Sequence, residues 1–336
     1  MPSSSITSKK QVDFIAIGDS QLDTFLQIQD ATVTCQINKS QCLLCLEYAD
    51  KIPVSAITHV PGAGNASNAA VGASRLGLKS AMVSVVGSDE TGRAIITQWK
   101  KEGVQTNNVI IDPKKPTNEA TVISFKGERT ILTYNQPRTY RLPKLPSTHW
   151  IYYTALGNNH ATLERELLAH LTKHPEIKLA FNPGTSHFHR GLKALKPVIK
   201  HTNVLAVNKE EALRLLEDGE RPIANMLMTF HHLGASIVLI TDGARGSYVT
   251  DGNNSWFCPV FPGTVKEMTG AGDSFTTGFV AALQQKLTIP EAMRVGTANA
   301  WSVIQHIGPQ AGLLTARSLP AVLQKFKRIQ PRIERL

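Results

Sequence analysis

The chain has 336 residues, 42% of them hydrophobic, and can therefore bury a large core as one α/β domain. No apolar run approaches the roughly 20 residues that span a bilayer, and the polar residues 1–10 lack the apolar segment of a secretory signal, so we expect a soluble, cytoplasmic protein without a membrane partner. The formal charge of +10, from 36 Lys and Arg against 26 Asp and Glu, allows nucleic acid or anionic small molecules as partners.

The first predicted strand, 12–18, is apolar and ends in Gly18, with Asp19 and Asp23 just beyond it. In open parallel sheets the ligand crevice lies beyond the carboxyl ends of the strands, so these acids are placed for a ligand. The stretch 24–60 alternates irregularly and predicts short strands outside the main repeat. A helix, a strand and a helix follow, at 68–76, 80–86 and up to about 102.

Three of the four cysteines fall within the irregular stretch, at Cys35, Cys42 and Cys45, and the fourth is Cys258. Cys42-x-x-Cys45 resembles half of a zinc or redox site, but no second close pair supplies the remaining ligands. In a cytoplasmic protein we therefore expect free, partly buried thiols.

Two β-rich runs, 121–125 and 130–134, flank a short turn and predict a hairpin. From Trp150 onward strands and helices alternate, at 150–153, 163–172, 178–182, 192–199, 204–208, 209–216, 223–232 and 236–241, followed by a hairpin at 246–257 and two helices. This alternation predicts a parallel sheet with helices on both faces. The β-rich segments near 24–60 and 117–140 are expected to form a small separate sheet.

A denser basic patch lies near the end of the sequence, at Lys325, Lys327, Arg328, Arg332 and Arg335. No aromatic interleaving or nucleic-acid motif accompanies it. We therefore predict a solvated basic helix and no nucleic-acid partner.

The run Gly270-Ala271-Gly272-Asp273 leads directly into an apolar stretch with helical periodicity. Glycines let backbone N–H groups approach a ligand, and the first turn of a helix adds unpaired N–H groups and a positive dipole end. Such a place suits a phosphate or the charge that develops during phosphoryl transfer. On this run alone, Asp273 is equally a helix N-cap or a general base.

Two other strand ends carry polar or glycine-rich turns. Asn208 and Glu211 fit a helix capping box, and they could also hold a hydrated Mg²⁺ beside nucleotide phosphates. Thr241, Gly243 and Gly246 lie in a turn that could approach a phosphate, although ordinary hairpins use such turns more often.

The run Gly62-Ala63-Gly64-Asn65-Ala66-Ser67-Asn68 precedes a helix of small residues. Asn65 and Asn68 offer donors and acceptors to a polyol, while a plain helix start is an equal alternative. No Gly-x-x-x-x-Gly-Lys-Ser/Thr run exists, which excludes a P-loop NTPase.

The five motifs, Gly18-x4-Asp23, 64–68, Asn208-x-x-Glu211, Thr241-x-Gly243-x-x-Gly246 and 270–273, follow in one order along the chain. That order resembles the ribokinase-like (PfkB-type) carbohydrate kinases, over residues 12–316. The resemblance implies an α/β, ribokinase-like three-layer sandwich with a mostly parallel central sheet. The segments at about 24–60 and 117–140 would form a small β-sheet lid, and 317–336 a C-terminal basic helix.

The resemblance also implies roles for individual residues. Asp273 matches the catalytic base, and Gly270, Ala271 and Gly272 match an anion hole for the transferring phosphoryl group. The positions implied for ATP are Asn208, Glu211, Thr241, Gly243, Gly246 and Asn299, the first two also organising Mg²⁺ through water. The positions implied for substrate hydroxyls are Asp23, Gly64, Asn65 and Asn68.

The chain departs from the family just before the anion hole, where Glu267-Met268 stands in place of the frequent Asp-Thr. The Asp position is associated with a monovalent-cation site in members that need potassium. Glutamate is longer and methionine offers no side-chain oxygen, so the resemblance leaves a need for K⁺ open.

We therefore predict an ATP- and Mg²⁺-dependent kinase that phosphorylates a hydroxyl of a pentose or hexose. A nucleoside kinase is the alternative within the family, and it would need a slot for the base from lid residues such as Phe25 or Tyr48. A non-catalytic sugar sensor is the alternative from another class, and the presence of Asp273 argues against it. The exposed strand edges of the lid would allow two copies of the chain to form a homodimer there.

Overall fold

The computed structural model describes residues 11–35, 42–126, 128–217, 219 and 221–334. The strands are β1 (Phe14–Ile17), β2 (Gln21–Ile28), β3 (Thr32–Cys35), β4 (Cys42–Cys45), β5 (Val54–Ala63), β6 (Ser80–Val83), β7 (Val85–Gly87), β8 (Ile110–Asp112), β9 (Asn118–Phe125), β10 (Glu128–Tyr134), β11 (Trp150–Tyr153), β12 (Lys178–Phe181), β13 (Val204–Asn208), β14 (Ile237–Thr241), β15 (Ser247–Thr250), β16 (Ser255–Cys258) and β17 (Arg332–Ile333). The helices are α1 (Asn65–Arg75), α2 (Glu90–Lys101), α3 (Ala161–Lys173), α4 (Thr185–Lys200), α5 (Lys209–Leu216), α6 (Ile223–His232), α7 (Ala271–Gln284), α8 (Ile289–Val303) and α9 (Leu319–Lys325).

A nine-stranded sheet forms the centre of the molecule, in the order β17-β16-β15-β14-β13-β12-β11-β1-β6. The strands from β14 to β6 are parallel, whereas β15, β16 and β17 add antiparallel strands at one edge. The parallel strands are apolar along their length because helices cover both faces of the sheet.

Side chains that alternate along β1 build two separate cores. Ile15 and Ile17 pack into the cluster that holds α3 to α6, which includes Leu167 and Phe230. Phe14 and Ala16 pack into the opposite cluster, with side chains of α1, α2, α7 and α8. The alternation of period two therefore produces three layers, and the predicted α/β sandwich is confirmed.

A second, four-stranded sheet has the order β10-β9-β2-β5 and lies within the segments predicted for the lid. Strand β2 runs parallel to β9 and antiparallel to β5. Phe25 and Val122 are neighbours in register, and both are buried. This sheet therefore has a buried apolar face, while most of β10 is exposed.

The expectation of free thiols is wrong for Cys35 and Cys42, which form a disulfide bond. The two residues are directly opposite each other in the β3–β4 hairpin, a pairing that spacing along the chain does not reveal. Cys45 is free and exposed, and Cys258 is free and buried.

The basic helix predicted over 317–336 is also wrong in its extent. Helix α9 ends at Lys325, and the buried Phe326 then packs on the rings of Phe261 and Trp301, with centroids 4.6 and 5.0 Å away. Proline 331 lacks the N–H that a helix would need, and β17 follows as an edge strand of the central sheet. Residues 335–336 lie outside the described part. No helix among the described residues is long and apolar enough to cross a membrane.

Candidate active site

Several of the predicted site residues lie at the carboxyl edge of the parallel strands. Asn208 and Thr241, at the ends of β13 and β14, are partners in register. Asp19 follows the end of β1, and it lies beside Gly64 at the start of α1. Helices α1 and α7 are brought together by a hydrogen bond between residues that are 205 positions apart in sequence, Asn68 and Asp273.

The loop before α7 has the geometry of an anion hole. Gly270 is the N-cap of this helix with a φ of 79°, and a Cβ there would lie 2.5 Å from the Cβ of Pro309. A Cβ on Gly272 would meet nothing within 4 Å, so the space in front of the helix start is open. The amides of the first turn and the helix dipole therefore face room for an anion.

Asp273 lies in the first turn of α7 and is not its N-cap, because Gly270 takes that position. Burial raises the pKa of this carboxyl to about 6, and the Asn68 amide opposes the rise by donating to Oδ2 at 2.8 Å. Gln310 donates to Oδ1 of Asn68 at 3.0 Å, which turns the amide NH₂ of Asn68 toward Asp273. The carboxylate is thus oriented, and it remains ionised at neutral pH.

Asn208 and Glu211 form a reciprocal capping box at the start of α5. Asn208 Oδ1 accepts from the Glu211 amide at 2.8 Å, and Glu211 Oε2 accepts from the Asn208 amide at 2.9 Å. Burial, followed by the negative charge of Asp273, raises the pKa of Glu211 to about 7. The cap leaves Oε1 of Glu211 available, and a divalent cation beside these two acids would stabilise their charges. The donor set fits a largely hydrated Mg²⁺.

The turn after β14 contains Thr241, Gly243 and Gly246, and it joins β14 to β15 as a hairpin. Gly246 has a φ of 114° and packs against the backbone of Cys258, so a side chain is excluded there. The Asp242 amide donates to the Gly246 carbonyl at 2.8 Å, which closes the turn. The same residues can therefore close a hairpin and also bind a nucleotide.

Asn299 does not fit the role that the resemblance implies for it. The side chain is fully buried, its amide donates to the Ser274 carbonyl at 2.8 Å, and its Oδ1 accepts from the Leu314 amide at 3.0 Å. Its position therefore indicates that it ties α8 to α7 and to the following loop, rather than contacting a nucleotide.

The residues expected to hold the substrate lie on the lid side of the crevice. Asp23 Oδ1 accepts from Gln21 at 2.6 Å, and burial, aided by the charge of Glu267, raises the pKa of Asp23 to about 6. Gly64 has a φ of 103°, and Asn65 reaches Asn182 with an Nδ2–Oδ1 distance of 3.5 Å.

The two lid residues considered for a base slot differ sharply in exposure. Phe25 is 3% exposed, whereas Tyr48 is 97% exposed and lies outside the strands of the four-stranded sheet. A Cβ on Gly308 would lie 3.2 Å from Cγ2 of Val60 and 3.8 Å from Cε2 of Phe25. The four-stranded sheet therefore packs against the loop at Gly308.

The sequence indicated Asp19 but neither its partners nor two further polar residues of the site. Asp19 Oδ2 accepts from the Tyr140 hydroxyl at 2.7 Å and from the Gly157 amide at 2.9 Å, and burial raises its pKa to about 6. The acid after β1 was visible in the sequence, but its partners are 121 and 138 positions away. Gln310 and Asn182 carried no local signal.

Residues 28–316 match the pfkB family of carbohydrate kinases. The chain belongs to this family. It is 28% identical over 274 residues to a ribokinase of Bacillus subtilis, covering 79% of this chain and 88% of that protein. The crystal structure of a Methanocaldococcus jannaschii nucleoside kinase superposes with a TM-score of 0.74 at 20% identity, covering 93% of this chain and 98% of that one. A structure of Arabidopsis thaliana ribokinase with ribose and ATP gives 0.75 at 18% identity, covering 93% and 99%.

The match covers most of the chain and includes all the motifs from 64–68 onward. The protein is therefore a carbohydrate kinase of the ribokinase family, a group that contains both sugar and nucleoside kinases. The predicted family and fold are confirmed, and the chemistry is ATP-dependent phosphoryl transfer.

Proposed function

We propose that the protein transfers the γ-phosphoryl group of ATP to a hydroxyl of a pentose or hexose, with Asp273 as the general base. The observation that carries this proposal is the position of Asp273: it is buried beside the open space at Gly272 and is held by Asn68 of helix α1. One carboxylate thus faces both the anion hole and the loop expected to bind the acceptor.

In this mechanism Asp23 and the loop from Gly64 to Asn68 hold the substrate hydroxyls under the lid. Asp273 removes the proton of the attacking hydroxyl as its oxygen bonds to the γ-phosphorus and the bond to the ADP oxygen breaks. The amides of 270–272 stabilise the charge on the transferring group. Mg²⁺, when bound through Glu211, neutralises phosphate charge, while the closed lid excludes water.

A nucleoside is the second candidate substrate, and one observation favours it. Phe25 lies two residues from Asp23 on the same buried face of the lid, beside Val122. An aromatic ring next to a carboxylate can stack on a base while the carboxylate binds ribose hydroxyls. Similarity to the Methanocaldococcus jannaschii nucleoside kinase agrees with this candidate.

ATP consumption measured across pentoses, hexoses, sugar phosphates and nucleosides separates these candidates. With the best substrate, we expect Asp273→Asn to lower turnover by about 10²–10⁴-fold and to leave ATP binding nearly unchanged. Asp30→Asn removes an exposed carboxylate of the lid and serves as the matched control. Unchanged turnover in Asp273→Asn would show that another group is the base. Tight binding of a sugar without any phosphorylation would instead support a sensor.

A further inference from the structure

An ion pair connects the lid to the loop before the anion hole. Arg129 of β10 places a guanidinium nitrogen 3.5 Å from Oε1 of Glu267. The Glu267 side chain is 10% exposed and that of Arg129 is 36% exposed, so the pair is partly shielded from water. Since the lid and this loop are separate parts of the fold, the pair would be lost if the lid moved away from the loop.

Glu267 also shapes the anion-hole loop from within. Its Oε1 accepts from the Thr269 amide at 2.7 Å and from the Thr269 hydroxyl. The Glu267 amide donates to the Ile304 carbonyl at 3.2 Å, which anchors the start of the loop. One carboxylate therefore fixes the turn that delivers Gly270 to the helix start.

Glu267 and Met268 do not fit the monovalent-cation site that the resemblance to the family associates with these positions. Met268 has no side-chain oxygen and is 50% exposed. Glu267 Oε1 already contacts the Arg129 guanidinium and both Thr269 donors, and a second cation there would be repelled by the guanidinium. Oε2 is buried without a hydrogen-bond partner among the described residues, and one oxygen does not make a coordination shell.

The charges around Glu267 indicate what Arg129 adds. Burial is the main cause of the raised pKa of Asp23, and the negative charge of Glu267 adds to it, so these two acids lie within electrostatic range of each other. The proximity of Asp23 to Glu267 is unfavourable by itself, because both side chains are acids. The Arg129 guanidinium belongs to the same sheet as Asp23, and its positive charge offsets that repulsion.

We propose that Arg129 is a positioning residue, which closes the lid onto Glu267 and orders the anion-hole loop in place of a bound monovalent cation. Lid closure over the substrate and ordering of the anion hole are then coupled. This inference rests on the proposed kinase function, and it predicts activity that is independent of K⁺.

The first test compares steady-state activity in KCl with that in choline chloride at equal ionic strength. We expect less than a twofold difference for the wild-type chain. Arg129→Gln should lower kcat about tenfold or more with a smaller change in the KM for ATP, and Arg129→Lys should recover part of the loss. Arg141→Gln removes the exposed ion pair with Glu166 and should leave both constants unchanged.

Hydrogen exchange supplies a measurement that does not depend on turnover. Peptides covering 264–272 should exchange faster in Arg129→Gln than in the wild type, and Arg141→Gln should not change them. Strong activation of the wild type by K⁺, or normal kcat and exchange in Arg129→Gln, would overturn the inference. Absence of phosphorylation with every substrate, together with faster exchange in Arg129→Gln, would contradict the proposed function but retain the link between lid and loop.

Discussion

At the scale of single residues, the ionisation of Asp273 is set by two opposing effects. Burial raises the pKa of the carboxyl, and the Asn68 amide lowers it by hydrogen bonding to the charged form. The balance near 6 gives a base that is ionised at pH 7 and still more basic than an exposed aspartate.

We therefore predict the direction in which the pH profile moves when Asn68 is replaced. Because a general base must be deprotonated, kcat/KM measured at saturating Mg²⁺ should rise through a pH near 6 and then level off. Asn68→Leu removes the donor that stabilises the carboxylate, so the pKa and the midpoint of the profile should move to higher pH.

Asn65→Leu is the matched control for this profile. Asn65 lies in the first turn of α1, as Asn68 does, but it contacts Asn182 and not Asp273, so its loss should lower activity without moving the midpoint. An unchanged midpoint in Asn68→Leu would show that the group titrating in the pH profile is not Asp273.

At the scale of elements, the packing of α7 on α8 positions the anion hole. A Cβ on Gly278 would lie 3.1 Å from the Cα of Gly296, so the two helices touch through their backbones. Asn299 adds hydrogen bonds from α8 to the first turn of α7 and to the next loop. The start of α7 is thus held by the neighbouring helix as well as by its own cap.

Gly296→Ala should disturb this packing directly. The added Cβ would lie 2.8 Å from the Phe275 carbonyl and 3.1 Å from its ring, which forces the helices apart. We expect a loss of about 1–3 kcal/mol in the free energy of unfolding, measured by chemical denaturation. Gly272→Ala, where the Cβ meets nothing, should keep stability and lose phosphate binding instead. Equal stability of Gly296→Ala and the wild type would disprove the close contact.

The elements that sequence reasoning predicted correctly are those with a local signal. The capping box of Asn208 and Glu211 and the glycine turn before α7 depend on residues within a few positions of each other. The Cys35–Cys42 bond and the edge strand β17 depend on which strands become neighbours. The contact of Gln310 with Asn68, 242 positions apart, is likewise invisible until the fold forms.

At the scale of the whole molecule, the fold contains two buried acids, Asp23 and Asp273, and two partly buried acids, Asp19 and Glu211, among the residues of the candidate site. Burial raises the pKa of Asp19, Asp23 and Asp273 to about 6 and that of Glu211 to about 7. Each of these groups binds its proton more tightly in the folded than in the unfolded chain. Keeping them ionised for catalysis therefore lowers stability at neutral pH, in the absence of Mg²⁺ and substrate.

The contribution of Asp273 to the free energy of unfolding depends on pH. The pKa is raised from 3.8 to about 6, so its stabilising effect is complete below pH 3.8 and is lost as pH rises through about 6. Two pKa units correspond to about 3 kcal/mol. Since Asn cannot ionise, the stability of Asp273→Asn relative to the wild type should increase by roughly that amount between pH 4 and pH 7, and then stay constant.

Comparing the two proteins at each pH is necessary because other groups act in the opposite direction. The pKa values of His160 and His187 are lowered, chiefly by burial, so proton uptake by the unfolded chain below about pH 6.5 destabilises the fold. That effect is common to both proteins and cancels in their difference. Denaturant unfolding of metal-free protein gives this difference. If the stability difference between Asp273→Asn and the wild type did not change with pH, burial would not raise the pKa of this carboxyl.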